Sequence, residues 1–164
     1  MGLVERIIKR FFPNGLSDEE MAGIMLDWRA CWEVSKIKSK SSPAFFKAIG
    51  NLLPAGCTLC IEGTNICDEV KAFLEGHSVD EICKVQLGTY WPRPEVYHAV
   101  ASDEVFSALA ELSERRAIPE ICDHIYVYKN KEVLLSWNDA FSIPLYVSKR
   151  VAESSLKAFC QTLG

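Results

Sequence analysis

The densest polar chemistry in this sequence is Glu120-Ile121-Cys122-Asp123-His124 taken together with Trp137-Asn138-Asp139. A carboxylate beside a histidine can orient a general base or tune a metal-bound imidazole. Asn130-Lys131 separates two runs of β character, His124 to Tyr128 and Glu132 to Trp137, and reads as a two-residue hairpin turn. Regular pairing across that turn sets His124 opposite Trp137 and Asp123 opposite Asn138. Tyr126, Tyr128, Val133 and Leu135 then share the face of His124 and Trp137, with Asp123 and Asp139 at its open end. A small hydrolase-like enzyme using Asp123, His124 and Asp139 is one expectation. It lacks a nucleophile, because no G-x-S-x-G occurs and Ser136 falls on the face away from His124. The competing reading is structural: Asp123 turns the chain into the strand and His124 packs on Trp137.

The second concentration is Tyr90-Trp91-Pro92-Arg93-Pro94. Two prolines restrict this backbone, and Trp, Tyr and Arg are the side chains most enriched where proteins bind one another. Such a loop either folds back over the core as a lid or meets a partner. Tyr90, Trp91 and Arg93, with His98 and Trp137 on the neighbouring sheet face, are the expected binding residues.

Thiol and metal chemistry are weaker prospects. Cys57-Thr58-Leu59-Cys60 is a C-x-x-C, but it sits in a strand pattern rather than at a helix start, where a dipole would activate a thiol. Its spacing of three puts Cys57 and Cys60 on opposite faces. No second ligand pair accompanies it, and His77, His98 and His124 form no metal-binding spacing. The sequence therefore calls for no metal and no cofactor. A thiol or metal protein using the cysteines is kept as a second alternative.

Composition narrows the class further. The chain has 164 residues, 49% hydrophobic and 24% charged, with a formal charge of −4. That length suits one domain, and that composition can fill a core. Eight Lys/Arg face six Asp/Glu in the first fifty residues and ten face sixteen in the rest, so the acidity lies in the later part. An acidic chain without basic residues interleaved among aromatics argues against a nucleic-acid partner and leaves a basic protein partner open. Seven cysteines, an odd number in mostly apolar surroundings, read as reduced core thiols in a cytoplasmic protein. No stretch approaches the ~20 apolar residues a membrane span needs, and the charged start is no signal peptide. Walker, dinucleotide-binding and kinase motifs are absent.

The elements that must position these residues follow from periodicity and caps. Apolar residues recur at helical spacing over 3–12, over 21–32 behind a capping box at Ser17 and Glu20, and over 43–53 behind Ser42-Pro43. A buried strand over 57–62 comes next, then a helix capped by Asn65 and a short helix opened by Ser78-Val79-Asp80-Glu81. A strand over 95–101, a helix capped by Ser102, the hairpin, a strand over 145–147 and a closing helix complete the chain. The expectation is one α/β (or α+β) domain over 1–164. In it a helical segment over 1–54 packs on a β-α-β-α-β-β-β-α segment over 55–164, whose mixed sheet of about five strands has helices on at least one face. The leading functional expectation is a non-catalytic protein-binding module; inhibitor or immunity-type proteins share these class-level properties. Homodimerisation through the aromatic loop is equally compatible with the sequence.

Overall fold

The computed structural model describes residues 22–35, 41–142 and 144–164. The helix expected over 3–12, the capping box at 17–20 and the basic run over 36–40 lie outside them. Six strands form one sheet: β1 (Cys31–Val34), β2 (Thr58–Gly63), β3 (Glu95–Val100), β4 (His124–Lys129), β5 (Glu132–Trp137) and β6 (Leu145–Ser148). Their order is β1-β6-β5-β4-β2-β3, and every neighbouring pair is antiparallel. Among the described residues the α-helices are α1 (Ser42–Leu52), α2 (Asp68–Gly76), α3 (Asp103–Arg115) and α4 (Glu153–Thr162). From residue 57 onward the order of the strands and the longer helices is the one the periodicity implies, and the chain is α/β in class. The sheet has six strands rather than about five, and its pairing is antiparallel rather than mixed.

All four described helices bury their apolar stripes in one cluster on one side of the sheet. Phe45, Phe46 and Ile49 of α1, Val70 and Leu74 of α2, Leu109 of α3 and Phe159 of α4 meet Leu59, Ile61, Ile125 and Val127 there. Alternation along each strand forces the intervening residues, Cys60, Tyr126 and Tyr128, to the opposite side. No helix covers that side among the described residues. Leu26 and Val85, from two irregular segments, pack on it instead.

Two expected helices are corrected. Within 22–35 there is no helix, and Cys31–Val34 forms β1, paired from Cys31↔Ser148 to Val34↔Leu145. Trp32 and Val34 pack toward the helical cluster while Cys31 joins the opposite one. Covering the edge of β6 outweighs a weak helical preference. The box at Ser78-Glu81 opens no helix either. Ser78 bridges Ala99, and Val79 donates its N–H to the carbonyl of His98 at 2.9 Å, so this stretch hugs the edge of β3.

Candidate functional site

The helix-free side of the sheet holds a cavity of about 740 Å³. Its walls are the segments 24–28 and 85–91, which a parallel bridge joins at Ile24↔Val85. Ile24 donates to the Lys84 carbonyl at 2.8 Å and accepts from Gln86 at 2.9 Å. Gly23 makes this approach possible, because a Cβ there would lie 2.5 Å from the Gln86 nitrogen. Its φ of +148° also lies where other residues are strained. Trp28 packs edge-on against Tyr146 of β6 at 4.9 Å, anchoring the first wall to the sheet.

The floor comes from the hairpin, and a β-bulge decides which residues reach it. Pairing starts at Lys129↔Glu132 and Tyr128↔Val133, then shifts to Val127↔Leu135, Tyr126↔Ser136 and Ile125↔Trp137. Leu134 is the extra residue, and every side chain beyond it changes face. The regular register expected from the turn is thereby corrected. Trp137 does not face His124: it is only 3% exposed and packs in the helical core, 4.7 Å from Phe45 and 4.3 Å from Phe141. Leu135 goes with it. Ser136, read as facing away, lines the cavity with His124, Tyr126, Asn138 and Asp139.

Behind that floor lies Glu62, fully buried on β2 and paired with His124 of β4. Its Oε2 accepts the N–H of Gly88 at 2.9 Å and its Oε1 accepts that of Thr89 at 2.7 Å. The Tyr126 hydroxyl lies 3.2 Å from Glu62 Oε2 and 2.9 Å from Asn138 Oδ1. Burial first, and then the Glu62 charge, push the Tyr126 phenol well above its usual pKa, so it serves as a donor. This carboxylate ties the second wall to the sheet. Sequence reading missed it, although a lone Glu ending an apolar strand run between glycines was the available signal.

His124 completes the tie. Its Nδ1 accepts the backbone N–H of Asp139 at 2.8 Å, which leaves the ring proton on Nε2. Nε2 then donates to Thr89 Oγ1 at 2.8 Å, with Glu62 Oε1 3.8 Å away. Gly88 is needed against this ring, because a Cβ there would stand 2.8 Å from His124 Nε2.

The other expected site residues are dispersed. The Asp123 carboxylate accepts the Thr64 N–H and hydroxyl, both at 2.7 Å, and so turns the chain into β4. Asp139 is exposed at the cavity rim with a left-handed φ of 43°. Tyr90 and Trp91 line the cavity; Arg93 is exposed and does not. His98 is buried on β3 opposite Cys60, its Nδ1 3.0 Å from the Tyr128 hydroxyl, away from the cavity lining. Burial lowers its pKa, with Glu81 opposing the shift. Cys57 and Cys60 fall in the two opposite clusters, and burial raises both thiols, the reverse of nucleophile activation. Among the described residues no group of three or more His, Cys, Asp or Glu is arranged to hold a metal, and no helix is long and apolar enough to cross a membrane. Comparison with protein-family models, with curated proteins and with solved structures gives no match for this chain.

Proposed function

We propose that this chain is a non-catalytic binding domain, whose site is the cavity between segments 24–28 and 85–91 and whose ligand is a segment of another protein. The observation carrying this reading is where apolar surface is left uncovered. Among the described residues five large hydrophobic side chains stay exposed: Met25, Trp28, Ile82, Trp91 and Val100. Trp91, Trp28 and Met25, at 75, 46 and 54% exposure, all line this one cavity. Aromatic side chains around a concave, partly polar floor are what an interface anchor fills.

The polar floor argues against the hydrolase reading of Asp123, His124 and Asp139. Asp123 holds Thr64 through one carboxylate oxygen and does not line the cavity, and His124 uses both ring nitrogens to hold Asp139 and Thr89. With its proton on Nε2, the ring cannot accept one from Thr89 Oγ1, the nearest hydroxyl. The floor thus works as a clamp on the wall rather than as an acid–base set. Seven free thiols, three of them buried, support the reducing cytoplasm as its setting.

The test is capture of partners on immobilised protein, followed by titration of the purified partner against wild type, Trp91→Ala and Val100→Ser. Trp91→Ala is expected to weaken binding at least tenfold, as interface anchors do, while Val100→Ser leaves it unchanged. Equal affinity for Trp91→Ala and wild type would overturn the site. Sedimentation of the protein alone tests the self-association alternative: a dimer abolished by Trp91→Ala would make the partner a second copy.

A further inference from the structure

The cavity also carries information about the charge of what enters it. Asp139 stands at its rim with an exposed carboxylate that makes no ion pair among the described residues. Among the described residues no lysine or arginine lines the cavity. Glu62 lies directly behind the floor, and His124, accepting at Nδ1, offers no second N–H to an anion. Trp28, Tyr90, Trp91 and Tyr126 supply aromatic surface around this negative end. A carboxylate and aromatic rings lining one concavity, with no cation among its described lining residues, is the chemistry that recognises a cationic group carried on an apolar stem.

We propose that the group bound here is an arginine side chain presented by the protein partner. The proposal rests on the binding-domain reading above and adds to it the ligand's chemistry. Arginine fits better than lysine because its planar guanidinium stacks on aromatic rings and gives up its hydration more readily than a compact ammonium. Its methylene stem would lie along the Met25 and Trp28 wall, leaving the guanidinium to meet Asp139. A protein carries it, rather than a free small amine, because the exposed Trp91 and Met25 extend the apolar surface at the cavity beyond what one cationic group covers. The net charge of −4 steers a basic segment toward the domain as a whole.

The experiment titrates the full chain with three capped amino acids: Nα-acetyl-arginine methylamide, its citrulline counterpart and its leucine counterpart. Amide and indole resonances of Thr89, Trp28, Trp91 and Asp139 report occupancy. Citrulline keeps the planar, hydrogen-bonding shape and removes only the charge. Arginine is expected to bind about three- to tenfold more tightly than citrulline, the size of one exposed ion pair plus a cation–aromatic contact. Asp139→Asn is expected to shrink that ratio to about twofold or less, since the remaining preference is then the aromatic contribution alone. Asn tolerates the left-handed backbone at this position, so the variant tests charge rather than fold. Equal binding of arginine and citrulline, or an arginine preference that survives Asp139→Asn in full, would overturn the assignment. Leucine binding alone would also overturn it while leaving the cavity as the binding site. If no probe shifts these resonances the arginine assignment fails, and partner titration with Trp91→Ala then decides separately whether the binding-domain reading stands.

Discussion

The Nδ1 atom of His124 accepts the backbone N–H of Asp139 at 2.8 Å, fixing both the imidazole tautomer and the end of β5. Long-range nitrogen–proton correlation spectra are therefore expected to show His124 as its Nε2–H form, with Nδ1 unprotonated. An Nδ1–H signal would mean that the bond to Asp139 is absent in solution and that Nε2 is free to accept a proton, as a catalytic base must.

Glu62 presents only acceptors to the Gly88 and Thr89 amides, whereas a glutamine there presents one acceptor and one donor group. Glu62→Gln leaves one wall amide facing another donor, at a cost of about 1–3 kcal/mol. The measurement that localises the effect is hydrogen exchange. Gly88 and Thr89 amides are expected to lose protection well before those of β2 and β4. Uniform loss across the sheet would show that Glu62 supports the whole fold rather than the wall.

Two tryptophans singled out together by the sequence reading separate sharply in the structure. Trp137 packs among Phe45, Phe141 and the helical core, so Trp137→Ala is expected to cost about 3–5 kcal/mol in urea unfolding. Trp91 is 75% exposed, and Trp91→Ala is expected to change stability by about 0.5 kcal/mol or less. Partner affinity should show the reverse order once the folded fraction of each variant is matched. A large stability loss in Trp91→Ala would identify the loop as a packed lid.

His98 links stability to pH. Burial among Cys60 and Tyr128 lowers its pKa in the folded protein, and Glu81 only partly offsets this. An unfolded histidine takes up its proton near pH ~6.5, so below that the unfolded state binds more protons than the folded one. Stability is accordingly expected to fall as pH drops below about 6.5, and His98→Gln is expected to flatten that part of the curve. The hydrogen bond from Arg116 depresses Glu69, and Lys71 likewise depresses Glu95; these act in the same direction, but only through the lower carboxylate range. An unchanged slope in His98→Gln between pH 7 and 5 would show that another group carries the linkage.

From Thr58 onward, except at Ser78–Glu81, the residues themselves dictate the elements, since caps, two-residue alternation and turn chemistry act within a few positions of one another. Ser102 accepts the Val105 N–H at 3.3 Å, and Asn130 adopts the positive φ of a tight hairpin turn. The opposite faces of Cys57 and Cys60 follow from the same local rule. What local pattern leaves open is which segment lies beside which. Cys31–Val34 carries a strand-compatible pattern inside a helical one, and only the open edge of β6, more than a hundred residues later, selects the strand. One bulged residue, Leu134, costs nothing to the pattern of β5 yet exchanges Trp137 for Ser136 at the cavity floor. Glu62, Gly88 and His124 are likewise remote from one another in sequence and meet only in the folded sheet and its wall. The elements were therefore written in short-range chemistry, whereas the site depends on register and on contacts between remote segments, which the tertiary structure alone decides.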